Sequence, residues 1–287
     1  MTFIIVTDST SDLPVSWLQE NDVTVLGLTI NLDGVTYETV GANRLTSAAL
    51  LEKMATGGLP TTSQVNVGQF EEVFEAAAKE GKEALYLAFS SVLSGTYQSS
   101  IIARDMVLDA YPDAVIEIVD TKAASIGEGY LVMQAAQARA AGKSLAETKA
   151  LIEDLIPRLR TYLLVDDLNH LVRGGRLSKA AALIGGLVNI KPLLALNAEG
   201  KLEAVAKLRG RKKGVREMLD RTLTDLDHST VMVAYTGDLA AAQDIQSTLL
   251  ENDQVTDVIL TELGPIIATH TGTGSLAILS ISTEKRA

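Results

Sequence analysis

Two short polar stretches hold the residues best suited to ligand chemistry. One is Ser90-Ser91-Val92-Leu93-Ser94-Gly95-Thr96. The other is His270-Thr271-Gly272-Thr273-Gly274-Ser275. Each follows a strongly apolar run and reads as a small-residue turn. Hydroxyls, free backbone N–H groups and one imidazole at such turns can hold a small anion such as a carboxylate. The serine stretch is expected between a strand, Ala84–Phe89, and a helix, where unsatisfied donors and the helix dipole attract anions. A purely structural turn is the competing reading there, and a satisfied structural histidine is the competing reading for His270. Gly272 and Gly274 are expected to let a ligand approach the backbone closely. No G-x-x-x-x-G-K-[ST] phosphate loop and no G-x-S-x-G nucleophile elbow occurs in the chain. The implied chemistry is a grip on an acidic head group without reaction on it.

Other motifs have two readings each. Asp8-Ser9-Thr10-Ser11-Asp12-Leu13-Pro14 caps the helix expected near Pro14, or lines a site beyond the end of the first strand. Pro60-Thr61-Thr62-Ser63-Gln64 is a capping turn, although three consecutive hydroxyls exceed what one cap needs. Arg173-Gly174-Gly175-Arg176 and the run Lys207–Arg216 are the basic elements. They form a solvated face, or a docking face for an acidic or phosphorylated partner. His170 and His228 stand among charged and polar residues and read as surface groups. With no cysteine, no H-E-x-x-H and three scattered histidines, no metal site is expected.

The elements that must position these residues follow from pattern. Strands are expected at Phe3–Thr7, Thr24–Ile30, Ala84–Phe89 and Val115–Val119, alternating with helices over Val67–Lys79, Gly95–Leu108, Gly127–Ala141 and Leu145–Leu159. Ser144 and Glu147 form an expected capping box. Further on come a strand at Thr161–Val165 and a helix over Leu168–Ile184 broken at Gly174-Gly175. Two strands, Pro192–Leu196 and Lys201–Lys207, flank a hairpin turn at Asn197–Gly200. A basic helix over Lys212–Leu226, a strand Val231–Tyr235, a helix Leu239–Glu251 and strands Asp257–Glu262 and Leu276–Ile281 complete the reading. The fold class is α/β, with parallel or mixed sheets and helices on their faces. The expected domains are residues 1–160 and 161–287.

The chain has 287 residues and is 47% hydrophobic but only 4% aromatic, so its core must be aliphatic. Its net charge of −11 argues against nucleic acid as a main partner. Residues 1–143 hold 8 Lys/Arg and 18 Asp/Glu, and residues 144–287 hold 17 and 18. The second half is therefore close to neutral. No apolar run approaches the roughly 20 residues of a membrane helix. The N-terminus reads as a strand, not a signal peptide. The absence of cysteine fits a cytoplasmic protein.

The ordered set Asp8-Ser9-Thr10-Ser11-Asp12, Thr62-Ser63-Gln64, Ser91-Val92-Leu93-Ser94-Gly95-Thr96-Tyr97-Gln98-Ser99, Arg173-Gly174-Gly175-Arg176, Ile190-Lys191-Pro192, Gly264-Pro265 and His270-Thr271-Gly272 resembles the DegV family over essentially the whole chain. The resemblance implies a two-domain α/β protein holding one long-chain fatty acid between its domains. It also implies similarity to the fatty-acid-binding subunit of bacterial fatty-acid kinase, in which a separate kinase subunit converts the bound carboxylate to an acyl phosphate for phospholipid synthesis. Carried over by motif, Thr62, Ser94 and His270 would hold the carboxylate, with Ser91, Gly95 and Thr96 as additional contacts. Arg173, Arg176 and Arg209 would face the kinase, clear of the lipid. The chain departs from the usual family pattern at Val65, where proline is common, and at Gly272-Thr273-Gly274, where many members have Gly-Pro-Gly. No catalytic residue and no cofactor beyond the bound lipid is implied. A carrier with mostly neutral head-group donors must draw affinity from the tail. About 15 buried methylenes at roughly 0.8 kcal/mol each give on the order of 12 kcal/mol before binding costs. The alternatives are a binding protein for another small acidic metabolite, or a serine esterase using Ser94 and His270.

Overall fold

The computed structural model describes residues 3–178 and 190–286. The first elements in chain order are β1 (Ile4–Asp8), α1 (Val15–Glu20), β2 (Val23–Leu26), β3 (Thr29–Leu32), β4 (Val35–Glu38), α2 (Ser47–Ala55) and β5 (Thr61–Ser63). Then come α3 (Val67–Lys79), β6 (Ala84–Ala88), α4 (Thr96–Ala110), β7 (Ile116–Asp120), α5 (Ile126–Ala140), α6 (Leu145–Leu155), β8 (Leu159–Leu164) and α7 (Asn169–Arg173). The remainder is β9 (Ile190–Leu196), β10 (Leu202–Arg209), α8 (Arg211–Leu223), β11 (Thr230–Tyr235), α9 (Leu239–Leu250), β12 (Asp257–Glu262), α10 (Pro265–Thr271) and β13 (Leu276–Ile281).

Among the described residues three sheets result. A parallel sheet has the order β2-β1-β6-β7, and a small antiparallel sheet has the order β4-β3-β5. A six-stranded mixed sheet has the order β10-β9-β8-β13-β11-β12, with β11 and β12 parallel. The strands of the first two sheets end by residue 120, and those of the third begin at residue 159. All five residues of β6 are buried, as a parallel strand covered on both faces requires. Its Tyr86 packs against Phe70 and shares a core with Phe74 of α3, while Leu85 and Leu87 share the other core with Leu131 and Ala135 of α5.

Helix α5 is the hinge of the packing. It contacts β1 and β6 on one side and β8 and β11 on the other. Nearly every residue of Ile126–Val132 and most of the next two turns are buried. A helix apolar almost all round belongs between layers, and here a single core runs from Phe3 through α5 to Ile281. The far face of the six-stranded sheet packs on α8 and α9 through Leu164, Val231, Val233, Met218 and Ile245.

Several expected elements are present at or near their expected ends, and the Ser144–Glu147 capping box forms with both of its hydrogen bonds. The single strand expected at Thr24–Ile30 is instead two, split at Gly27-Leu28. Its second part turns back through Asp33-Gly34, both at positive φ, into β4. The expected Leu168–Ile184 helix is a short α7 ending before Gly174; its portion beyond residue 178 lies outside the described residues.

Candidate functional site: a cavity between the sheets

A cavity of about 380 Å³ lies between the parallel and the mixed sheet, within the size range of small-molecule sites. Leu28, Phe89, Leu163, Leu196, Leu202 and Ile267 make much of its wall apolar. Its polar end brings Thr62, Gln64, Ser94, Gly95, Arg176 and His270 together from segments scattered over the chain. Thr62, Ser94 and His270 therefore share one wall.

Each arrives by a different route. Asn66 caps α3 with Gln69, so the preceding hydroxyls are not used as a cap. Thr62 lies instead in β5, paired opposite Ile30. Ser94 ends the turn before α4 and accepts the Thr96 backbone N–H at 3.2 Å. His270 sits in the last turn of α10, not in an open turn as expected. Pro265 starts that helix and Gly272, at φ 72°, ends it.

Hydrogen bonding aims two hydroxyls into the cavity. Thr62 Oγ1 and His270 Nε2 are 2.9 Å apart. The other ring nitrogen, Nδ1, is buried without a hydrogen-bond partner among the described residues and faces Gly174, where any Cβ would overlap it. A proton on Nδ1 would be stranded, so it is assigned to Nε2, which donates to Thr62. Thr62 keeps its own proton for a ligand. Burial holds the imidazole pKa down to about 4, reinforced by Arg176, Arg173 and His170. The ring is neutral near pH 7. Ser94 is arranged similarly. The Val65 N–H reaches Thr96 Oγ1 at 3.4 Å, and Thr96 Oγ1 lies 2.9 Å from Ser94 Oγ. With Thr96 donating, Ser94 also keeps a free proton. A proline at position 65 would lack the N–H that begins this chain.

The Arg-Gly-Gly-Arg segment does more than present charge. Gly174 lets the chain pack on His270, and Gly175 takes φ 74°. Arg173 is exposed and contacts His170 Nδ1 at 2.8 Å. Arg176 does not stand on a solvated or docking face as expected. It lines the cavity and donates to the carbonyls of Leu93 at 3.0 Å and Gly174 at 2.5 Å. The head-group end thus holds a cation as well as neutral donors. His170 is half-buried against Gly272 rather than a surface group, and His228 is half-buried beside the Tyr130 hydroxyl at 2.6 Å.

Other expected contacts are displaced. Ser91 is held by Asp120, its Oγ donating at 2.6 Å, and does not line the cavity. Thr96 lies behind Ser94, while Gly95 is on the wall and packs against Gln64. Gly272 and Gly274 admit His170 and Asp166, not a ligand, since a Cβ at either would overlap those side chains. Arg209 is exposed, with Lys207, Lys212, Lys213 and Arg216. Arg211 is instead tied to Asp166 at 2.8 Å and to the Gly274 carbonyl.

Behind the cavity wall at Thr10 and Ser125 lies a buried acid cluster that only partly appeared in the motif reading. Tyr86 donates to Asp8 at 2.7 Å and Thr7 donates to Glu128 at 2.7 Å. Thr10, a wall residue, has one hydroxyl proton but lies 2.5 Å from Asp8 and 2.9 Å from Glu128. One of those carboxyls must therefore be protonated. Burial pushes the pKa of both upward. It pushes Asp12 up to about 8, against the hydrogen bond from Ser125 at 2.5 Å. Neither Asp8 nor Asp12 caps α1, whose cap position is Pro14. Glu128 was missed; its signal is a lone acid in the apolar run of α5.

The comparisons agree with this architecture. Residues 2–283 match the family model described as "Uncharacterised protein, DegV family". A DegV domain-containing protein of Streptococcus pyogenes serotype M1 is 54% identical over 286 residues, covering 100% of both chains. Among solved structures, a DegV family protein of Thermus thermophilus, described by its fatty-acid binding, is similar with a TM-score of 0.89 and 34% identity, covering 98% of this chain and 100% of its own. A fatty-acid-binding DegV family protein of Streptococcus agalactiae is similar with a TM-score of 0.87 and 29% identity, covering 99% and 100%. With its fold matched over nearly its full length and its family profile spanning residues 2–283, the chain belongs to the DegV family.

Proposed function

We propose that this protein binds a long-chain fatty acid in the cavity between its sheets, two domains meeting near residue 160, and presents the carboxylate to a separate kinase subunit. The observation that carries the reading is the polarity of one cavity. Aliphatic walls lead to an end where Thr62 and Ser94 each offer a proton beside the Arg176 guanidinium. A carboxylate matches two hydroxyl donors and a cation, and an alkyl chain matches the remainder. The fatty-acid binding of the Thermus and Streptococcus agalactiae relatives supports the same ligand.

Carriage without catalysis fits the pairing. Ser94 contacts Thr96, and the His270 imidazole is engaged with Thr62, so the two do not form a nucleophile–base pair. The acyl phosphate would be made by the partner, as a step toward phospholipid synthesis in the cytoplasm. The exposed cations Arg173, Arg209 and Lys212 supply a docking face.

Native mass spectrometry of the purified protein is expected to show an added mass of fatty-acid size that solvent extraction removes. A homogeneous unliganded mass, unchanged by added fatty acid, would overturn the proposal. For the kinase step, Arg173→Ala should bind lipid normally yet lose acyl-phosphate formation with a partner kinase, and wild-type turnover should fall as salt rises. Equal loss of binding and turnover would place Arg173 at the lipid.

A further inference from the structure

We infer that the tip of the β9–β10 hairpin is the gate of the cavity, a section of apolar wall that swings away from the Ser90–Ser94 turn to admit or release an acyl chain. The inference rests on the fatty-acid reading and concerns how the ligand exchanges, not whether it binds.

The hairpin supplies wall where it is least anchored. Leu196 and Leu202 stand opposite each other across the hairpin, and both line the cavity. Such a pair shares one face of its two strands. On the sheet side, the ladder from β8 to β9 stops at Ala195, one residue short of Leu196. On the outer side, β10 is the edge strand of its sheet among the described residues. The register of the hairpin itself shifts between Ala204 and Ala206, and an irregularity of this kind bends a strand and interrupts its ladder. The tip therefore hangs between a ladder end on one strand and a bulge on the other. It is stiff within itself: Asn197 Oδ1 accepts the backbone N–H groups of Glu199 at 3.2 Å and Lys201 at 2.9 Å.

One latch holds the tip closed. Ser90, fully buried, donates from Oγ to the Gly200 carbonyl at 3.0 Å. Among the described residues no second hydrogen bond joins residues 197–201 to the parallel-sheet side. The approach requires glycine. At φ 82°, a Cβ on residue 200 would stand 2.4 Å from Ser90 Oγ and 2.9 Å from Lys122 Cα. A single neutral hydrogen bond is a weak tie, readily broken and remade. The latch also reaches the head-group end. The Ser90 carbonyl accepts the N–H groups of Leu93 at 3.0 Å and Ser94 at 3.2 Å, and the Leu93 carbonyl accepts Arg176. A carboxylate held by Ser94 and Arg176 steadies the turn on which the hairpin closes, so occupancy favours the closed gate.

The chain has no cysteine, so the double variant Ser90→Cys, Gly200→Cys carries the only two thiols. The closeness of Ser90 Oγ to a Cβ at residue 200 puts the pair within reach of a disulfide, whose Cβ atoms stand roughly 3.5–4.5 Å apart. Ser90→Ala is the companion that leaves the positive φ of residue 200 to its glycine. Association and dissociation of cis-parinarate, a fluorescent octadecatetraenoate, are followed by stopped flow in wild type, in the double variant reduced and oxidised, and in Ser90→Ala. Oxidation should slow both rates by more than about tenfold, since a crosslink replaces a reversible closure, and reduction should restore them. Ser90→Ala should raise both rates about three- to tenfold, the worth of one hydrogen bond, and leave Kd within about twofold, because the latch is lost from free and loaded protein alike. Thermal unfolding of each variant verifies the fold. Oxidised protein that exchanges at the reduced rate, thiols that do not close under oxidant, or a Ser90→Ala variant altered in one rate alone overturns the gate and leaves the fatty-acid reading standing. Failure of parinarate and octadecanoate alike to bind wild type overturns both.

Discussion

The two ends of the cavity solve the same physical problem with opposite charges. At the head-group end, burial and neighbouring cations strip the proton from His270, and the formal charge resides on Arg173 and Arg176. Behind the wall at Thr10 and Ser125, burial pushes the carboxyls of Asp8, Asp12 and Glu128 toward their neutral forms. Low polarisability favours the neutral form in both places. The difference lies in the hydroxyls: Thr62 and Ser94 keep protons beside a cation, whereas Thr10 and Ser125 are engaged by the acids behind them. A carboxylate is therefore welcomed at one end and opposed at the other, and this asymmetry orients a one-headed ligand.

The largest effect should come from breaking the head-group end. Arg176→Ala removes the cation lining the cavity and frees the Leu93 carbonyl beside Ser94, so fatty-acid affinity measured by titration should fall about a hundredfold. Wild-type affinity in this variant would place the carboxylate elsewhere. Thr62→Ala and Ser94→Ala each delete one hydrogen bond to a charged group and should cost roughly ten- to a hundredfold. His270→Ala acts through Thr62 and should cost less, about tenfold, with little loss of folding. Gly174→Ala sharpens that point. The added methyl meets the imidazole, so binding should weaken as it does on loss of His270 while the thermal midpoint moves little. If Gly174→Ala binds normally, the ring's position is not what orients Thr62.

The smallest effects are titrations. Asp12 keeps to about pH 8 a proton that the unfolded chain releases near pH 4, so its contribution to stability declines as pH rises through that window. Asp12→Asn, which tolerates the residue's positive φ, should flatten that decline in a plot of thermal midpoint against pH. An unchanged slope would show that the acid is not held neutral. His270 has the reverse sign: its folded pKa is depressed, so its contribution is present above about pH 6.5 and lost as pH falls toward 4. The Thr62 hydrogen bond should accordingly not titrate between about pH 6 and 8, and affinity should stay level there.

Legibility in the sequence tracked how local the determining physics was. The α3, β12 and β13 ends follow from periodicity and caps, and they were readable because neighbours in sequence decide them. The β3–β4 hairpin was not read, although Asp33-Gly34 signals it, because the apolar run Thr24–Ile30 conceals the break at Gly27. Thr62, Ser94 and His270 could be named from turn chemistry and family resemblance. That Thr62 and His270 touch, across 208 residues, is a tertiary fact. Arg176 reads as part of a basic docking face because its motif shows only charge, whereas the carbonyls that hold it come from the fold.

Helix α5 has a consequence for how the molecule comes apart. Its faces are divided between two sheets, so either half expressed alone would expose a stripe that the other was built to cover. The chain should therefore lose structure in one cooperative step despite its two large sheets. A ligand seated between them would raise that single transition rather than split it, making thermal shift a direct report of occupancy.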